Sequence, residues 1–361
     1  MGKFIIVGLT PQGLSIVRML ARAGHEVTAF TNTKNAVGYY SRYGKKLLFS
    51  TVQELKAGVC SIVAGSNEKV RCVVTSGELL TLLIDEFPEI YELCDVESGP
   101  LKLLRVLSKK NKMYAFAQMR ELTCAKWRVL SDYQHGDLAF PVIMKRNVEV
   151  PLFFKVKILH SKQELDSFIT QITPLDRKFI LLQEYMSSAS QLEISYQAYF
   201  RNGEACAEFV AKQIRRLQKG LTSYLEEVVD KPLHLLAARL SRKLLSGTGY
   251  SGFAEVEYIF NADAGALQFI EINTRPCGLH SALRQKYPNL SVVYDVSAAE
   301  CAEHLQASSK PIKWINLARD LKVRYEKKDF TGLGILFKSG YDILDWRDLK
   351  PFIMQFVNRC R

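Results

Sequence analysis

The chain has 361 residues, 48% hydrophobic and 24% charged, with 49 Lys and Arg against 37 Asp and Glu, a formal net charge of +12. That length supports two or three domains, and the composition excludes disordered, fibrous and collagen-like chains. No apolar run approaches the roughly 20 residues of a membrane-spanning helix, and the N-terminal apolar stretch lacks a small-residue cleavage pattern, so a soluble cytoplasmic protein is expected.

Lys3 to Gly8 reads as a buried strand, Gln12 to Ala23 as a helix with apolar Leu14, Val17 and Leu20, and Glu26 to Phe30 as a second strand. Further strands are expected at Lys46 to Phe49 and Val70 to Val74, with helices between them. This is a βαβ beginning without a nucleotide fingerprint. Gly8, Thr10 and Gly13 lack the middle glycine of a dinucleotide loop, and Leu14 and Ser15 stand where a P-loop needs Lys and Ser or Thr.

From Leu101 the pattern turns helical and basic (LKLLRVLSKKNKMYAFAQMREL). It then breaks into short strands. Phe140 to Arg146, FPVIMKR, is a buried strand ending in Lys145, a cation that needs an anion nearby because an unpaired charge there is costly. Asn147 to Ile158 carries no glycine but does carry Lys155 and Lys157; Ser161 and Glu164 have the spacing of a capping box. Phe179 to Met186, FILLQEYM, is an apolar strand that leaves into a Ser-rich stretch, followed by Glu193.

An antiparallel pair, Ser195 to Arg201 and Cys206 to Ala211, turns at Asn202-Gly203 and exits into Lys212 to Arg216; guanidinium there suits phosphates or an acidic substrate. A helix follows over Leu233 to Leu245. Gly249 to Pro276 then reads as a hairpin: Phe253, Glu255, Glu257 and Ile259 alternate, Asn261 to Gly265 turns, and LQFIEIN runs out as a strand. Period two puts Glu271 and Asn273 on one sheet face. Hard oxygen ligands of this kind, with positions left for phosphate oxygens, suit Mg²⁺.

These residues resemble the ATP-grasp superfamily, in which an acid on one strand and E-x-N on the next hold Mg²⁺ against ATP. The resemblance implies an α/β (α+β) architecture, with a Rossmann-like pre-ATP-grasp domain over 1–110 and two ATP-grasp subdomains over 111–186 and 187–361. It implies metal ligands Glu257, Glu271 and Asn273, with Mn²⁺ as an alternative to Mg²⁺. It assigns phosphate contacts to Lys145, by its P-x-x-x-K, and to Lys112 at the head of NKMYAFAQMREL, although Lys109 and Lys110 leave that choice open. The glycine-rich phosphate loop of the family is absent here, so any phosphate cover is expected to come from Lys155 and Lys157 or from a differently shaped loop. Gln183, Glu184, Tyr185 and Met186 would form the adenine hinge and Glu193 would hold the ribose. Within the superfamily the lysine-bearing strand before S-x-x-E-L is similar to the D-aspartate ligase-like and capsule-associated proteins. Relatives carry Arg where this chain has Glu255, so Arg275 or Arg216 is expected to grip the acyl phosphate.

The implied activity is a carboxylate–amine ligase that uses ATP, a small carboxylate and an amine acceptor, in a superfamily where homodimers are common. A degenerate, binding-only ATP-grasp protein stays open because of the missing loop. Nucleic acid is disfavoured: Lys and Arg spread over the whole length in short clusters. Eight cysteines without a CxxC pair argue against a zinc ribbon or a disulfide framework, and Cys277 with His280 makes poor evidence for zinc or a nucleophile. His280 is a candidate lining residue of the substrate pocket. The tail is expected to hold a strand over Gly334 to Phe337 and a helix near Asp348 to Asn358.

Overall fold

The computed structural model describes residues 1–148, 152–186, 191–217 and 221–357. Two compact units emerge: Met1–Leu101 with Ile194–Glu255 and Asn273–Arg361, and Lys102–Glu193 with Val256–Ile272. Ser187 to Ser190, which follow the expected hinge, lie outside the described residues, as does Asn358 of the expected C-terminal helix.

The first unit opens with five parallel strands, β1 (Lys3–Val7), β2 (Glu26–Thr31), β3 (Lys45–Leu48), β4 (Arg71–Val74) and β5 (Asp95–Val96), in the order β3-β2-β1-β4-β5. Continuous apolar runs such as Phe4 to Val7 fit a sheet covered on both faces. The helices Pro11–Arg22, Val52–Ala64 and Gly77–Glu86 make the crossovers. Gly8 and Gly13 serve packing: a Cβ on Gly13 would stand 2.2 Å from the Gly8 carbonyl oxygen, so the helix closes on the strand only without a side chain there. The C-terminal helix Lys350–Val357 follows Asp348, whose carboxylate takes Arg18 at 2.9 Å in a fully buried pair.

The second unit carries the helix Lys110–Met119 and an antiparallel sheet of β6 (Trp127–Val129), β7 (Val142–Arg146), β8 (Val156–Leu159) and β9 (Ile180–Glu184), in the order β6-β9-β7-β8. Val142, Met144, Leu159, Leu165, Ile180 and Leu182 form its core. Ser161 caps the helix Lys162–Ile169, accepting from the Glu164 amide, while the Glu164 carboxylate reaches the His160 amide.

The remaining strands are β10 (Gln191–Arg201), β11 (Glu204–Arg216), β12 (Thr222–Glu227), β13 (Gly252–Asn261), β14 (Ala266–Asn273), β15 (Lys313–Ile315) and β16 (Gly340–Tyr341), in the order β14-β13-β10-β11-β12-β15-β16. β13 and β14 belong to both units: each crosses from one to the other along its length.

Two expectations are corrected. Lys212 to Arg216 continue β11, paired with β12, because Thr222 to Glu227 offers a partner strand. Gly334 to Phe337 is no strand: Ile335–Lys338 forms a helical turn, started by Gly332 at φ +61° and closed by local bonds from Ile335 and Leu336 to Gly332 and Leu333 at 3.0 Å.

Candidate active site

In the second unit, Lys145 is the penultimate residue of β7; Val142 and Met144 point into the core, so the alternation carries Lys145 to the other face. There the Lys145 Nζ donates to Tyr114 Oη at 2.7 Å and to Gln183 Oε1 at 2.8 Å. Tyr114 Oη in turn donates to the Ile270 carbonyl at 2.7 Å, and Gln183 Nε2 to the Ala125 carbonyl at 3.3 Å. Buried Tyr114 and Gln183 thus fix the ammonium from below. Burial pushes Lys145 down to about 7 and Lys110 pushes the same way, while Glu271, Cys124 and Glu257 oppose. A group held so far from its ordinary value in a polar cluster marks a functional-site candidate.

Lys110, at the start of the Lys110–Met119 helix, binds Glu271 Oε2 at 2.6 Å. Glu271 and Glu257 both act electrostatically on Lys145 and on Tyr114, so both acids lie within reach of the same lysine and tyrosine. Lys112, the residue singled out from sequence, is exposed; Lys110 is the lysine that the structure brings to the acids. The signal was present in the helical phase, since Lys110 stands one turn before buried Tyr114.

The Glu184 amide donates to the Lys126 carbonyl and the Tyr185 amide to the Pro141 carbonyl, while the Glu184 carboxylate accepts from Ala139. Tyr185 and Met186 are half-buried, as is Glu193 near the start of β10. Lys155 precedes β8 and is exposed. The β7–β8 ladder sets Lys145 opposite Val156 and Met144 opposite Lys157, so Lys157 lies on the sheet face away from Lys145. The structure therefore does not gather the lysines expected as phosphate cover beside Lys145.

In the first unit, Asn273 at the end of β14 donates Nδ2 to Glu255 Oε2 at 3.1 Å and accepts Arg275 Nη2 on Oδ1 at 3.3 Å. Arg275 also reaches the Pro276 carbonyl at 3.3 Å, and its Nε lies 3.6 Å from where a Cβ on Gly77 would be. Arg216 ends β11 opposite Thr222 and is exposed; neighbouring Arg215 is built into a buried network on Asp320 at 2.8 and 3.1 Å. His280 is buried edge-on to Phe253, with Nδ1 at 2.9 Å from Ser15 Oγ, and desolvation pushes it down to about 3. Burial likewise drives the Cys277 thiol well up. A neutral imidazole in the core and a protonated thiol make no nucleophilic pair.

No three His, Cys, Asp or Glu side chains converge on a metal position among the described residues. Two carboxylates plus an amide suit Mg²⁺, which is bound through one or two acids with substrate phosphates and water completing the shell. Glu257 and Glu271 in the second unit carry such carboxylate oxygens and Asn273 in the first an amide oxygen, and Lys110 stands on one Glu271 oxygen at 2.6 Å.

No protein-family model and no curated protein matches the chain. Solved structures do. N5-carboxyaminoimidazole ribonucleotide synthetase, solved with ADP, superposes with a TM-score of 0.66 at 15% identity, over 87% of this chain and 81% of that one. The biotin carboxylase domain of Hydrogenobacter thermophilus 2-oxoglutarate carboxylase, solved with MgADP, ADP and bicarbonate, gives 0.64 at 14% identity over 86% and 71%. An L-amino acid ligase from Bacillus licheniformis gives 0.64 at 14% identity over 85% and 78%. The chain has the α/β ATP-grasp fold. No helix among the described residues is long and apolar enough to cross a membrane.

Proposed function

We propose that this protein is an ATP-dependent carboxylate–amine ligase, working through an acyl phosphate and releasing ADP and phosphate. The observation that carries the reading is the cluster of Lys110, Lys145, Glu257 and Glu271, two cations and two acids gathered around buried Tyr114 and Gln183. Such a site supplies position and charge to phosphoryl transfer, which needs no covalent protein nucleophile. Lys145 and Lys110 neutralise phosphate oxygens. Held by Glu257, Glu271 and Asn273, Mg²⁺ would supply charge neutralisation between phosphates.

With the Glu184 and Tyr185 amides already engaged, the adenine edge is read by the Glu184 carbonyl and by Met186, with Glu193 on the ribose. Arg275 stabilises the developing charge of the acyl phosphate, with Arg216 as a further contact for an acidic substrate. Lys155 and Lys112 act at most at the rim. The domain division is 1–110, 111–186 and 187–361, and the protein works in the cytoplasm. The lysine-bearing strand before Ser161 to Leu165 favours the D-aspartate ligase-like and capsule-associated subgroup, and so an amino acid joined to a cell-envelope or secondary-metabolite precursor.

The test is Mg²⁺-dependent release of ADP and phosphate from ATP, screened over amino acids paired with carboxylate acceptors. ADP formed only with one pair supports the ligase and names its substrates. AMP in place of ADP rules out the acyl phosphate, and tight ATP binding without turnover on any pair leaves only a binding protein. Glu271→Gln is expected to abolish turnover while leaving the thermal transition in place; unchanged turnover would remove Glu271 as a metal ligand.

A further inference from the structure

We infer that Glu255 is a positioning residue, which fixes the Asn273 amide so that its oxygen rather than its nitrogen is offered as a ligand. The inference rests on the ligase reading, in which Asn273 is a metal ligand. Glu255 lies on β13, is only 6% exposed, and stands two residues before Glu257 on the same strand face. Its carboxylate accepts two hydrogen bonds, from Ser195 Oγ on Oε1 at 2.6 Å and from Asn273 Nδ2 on Oε2 at 3.1 Å. Ser195 is itself fully buried on β10, so the carboxylate is held from a second strand.

Chemistry fixes which way the amide points. A carboxylate only accepts hydrogen bonds and a guanidinium only donates them. With Glu255 on one side and Arg275 Nη2 at 3.3 Å on the other, the NH₂ must face Glu255 and the oxygen must face Arg275. Reversal would set NH₂ against guanidinium and carbonyl against carboxylate, losing both bonds. Groups that orient a ligand in this way are costly to remove, at about 10–100-fold in metal affinity.

A charge introduced at position 273 tests this against the simpler view that Asn273 is merely an oxygen donor. On that simpler view Asn273→Asp, which adds an anionic oxygen, tightens metal binding. If Glu255 orients the amide, the new carboxylate faces the Glu255 carboxylate, 3.1 Å from Nδ2 in the native pair, with no donor between them; the two repel, the ligating oxygen is displaced, and affinity falls by ~10-fold or more. Glu255→Gln in the Asn273→Asp background restores a donor–acceptor pair with its polarity exchanged, and affinity recovers towards wild type.

The measurement is Mn²⁺ titrated into protein saturated with the β,γ-imido analogue of ATP, with free Mn²⁺ read from its electron paramagnetic resonance signal. Asn273→Asp binding as tightly as wild type refutes the inference, as does a double variant no better than Asn273→Asp. Should Asn273→Asp fail to fold, Glu255→Leu, which removes the acceptor without adding charge, is expected to lose ~10-fold in Mn²⁺ affinity; wild-type affinity would refute the inference. Asn273→Ala separates the two levels. If it leaves Mn²⁺ affinity unchanged, Asn273 is not a ligand and the reading beneath the inference falls with it; if it weakens binding while the other variants behave as wild type, only the role of Glu255 falls.

Discussion

Nucleotide affinity has a pH dependence of predictable sign if, as proposed, the phosphates are held by Lys145. Its ammonium is lodged against Tyr114 and Gln183 and loses its proton near 7 in the folded protein, against an ordinary 10.5. The unfolded chain keeps that proton up to the ordinary value, so between about pH 7 and 10.5 the unfolded state binds more protons and stability rises with pH. With those two values, the unliganded fold gives up about 4 kcal/mol at pH 7 by housing this lysine. Polyphosphate reverses the preference, because it favours the charged form. Nucleotide affinity should therefore be greatest below pH 7 and fall by about tenfold per pH unit above it, until the pKa of the complex is reached. Isothermal titration of the imido analogue of ATP with Mg²⁺ at pH 6 to 9, in buffers of different ionisation enthalpy, reads both the affinity and the proton uptake. Lys145→Met should bind weakly, with a flat profile, and melt at a higher temperature, since it removes the desolvated charge, although Tyr114 and Gln183 lose a donor. Affinity independent of pH in the wild type, or a Lys145→Met that melts lower, would refute the reasoning.

Lys110→Ala should weaken the imido analogue of ATP by ~10-fold or more, the scale of a hydrogen bond to a charged group, whereas Lys112→Ala should stay within about twofold of wild type; the reverse order of the two affinities would return the phosphate role to Lys112. Gly13→Ala forces a Cβ against the Gly8 carbonyl and should destabilise by about 1–3 kcal/mol, read as a lowered thermal transition. A melting temperature equal to wild type would show that the loop yields without cost.

Short-range pattern made most of this fold legible. The β13–β14 hairpin could be read because one polar turn separates two alternating runs, and β7 because its apolar residues stop at a single lysine. Phase and partner choice were harder. Three lysines in four residues share one composition, and only the burial of Tyr114 one turn on decides that Lys110 faces inward. The extent of β11 could not be read because Lys212 to Arg216 look like a solvated exit until β12 supplies hydrogen bonds. The Gly334 to Phe337 segment failed in the other direction: apolar and short, it had the composition of a strand, but local turns satisfied its backbone first. Arg18 and Asp348 lie 330 residues apart, beyond any local signal.

Charge accounting at the site explains why one lysine is left poised. Lys110 is paired with Glu271 at 2.6 Å. Lys145 contacts neutral groups, Tyr114 and Gln183, and feels Lys110 as a repelling neighbour. The two lysines thus differ in their partners: one is paired with an acid, and the other, pushed down to about 7 by burial, is favoured in its charged form once an anion arrives. On the proposed reading, nucleotide binding would complete the ionisation of Lys145, so that an anionic ligand is stabilised by a charge that the fold alone disfavours. A neutral ligand of the same shape would gain nothing from this device, which makes proton uptake on binding a readout of phosphate engagement itself. Adenosine, which lacks phosphate, should therefore bind without proton uptake at pH 8, while the imido analogue takes up close to one proton; equal uptake by both would place the titrating group elsewhere.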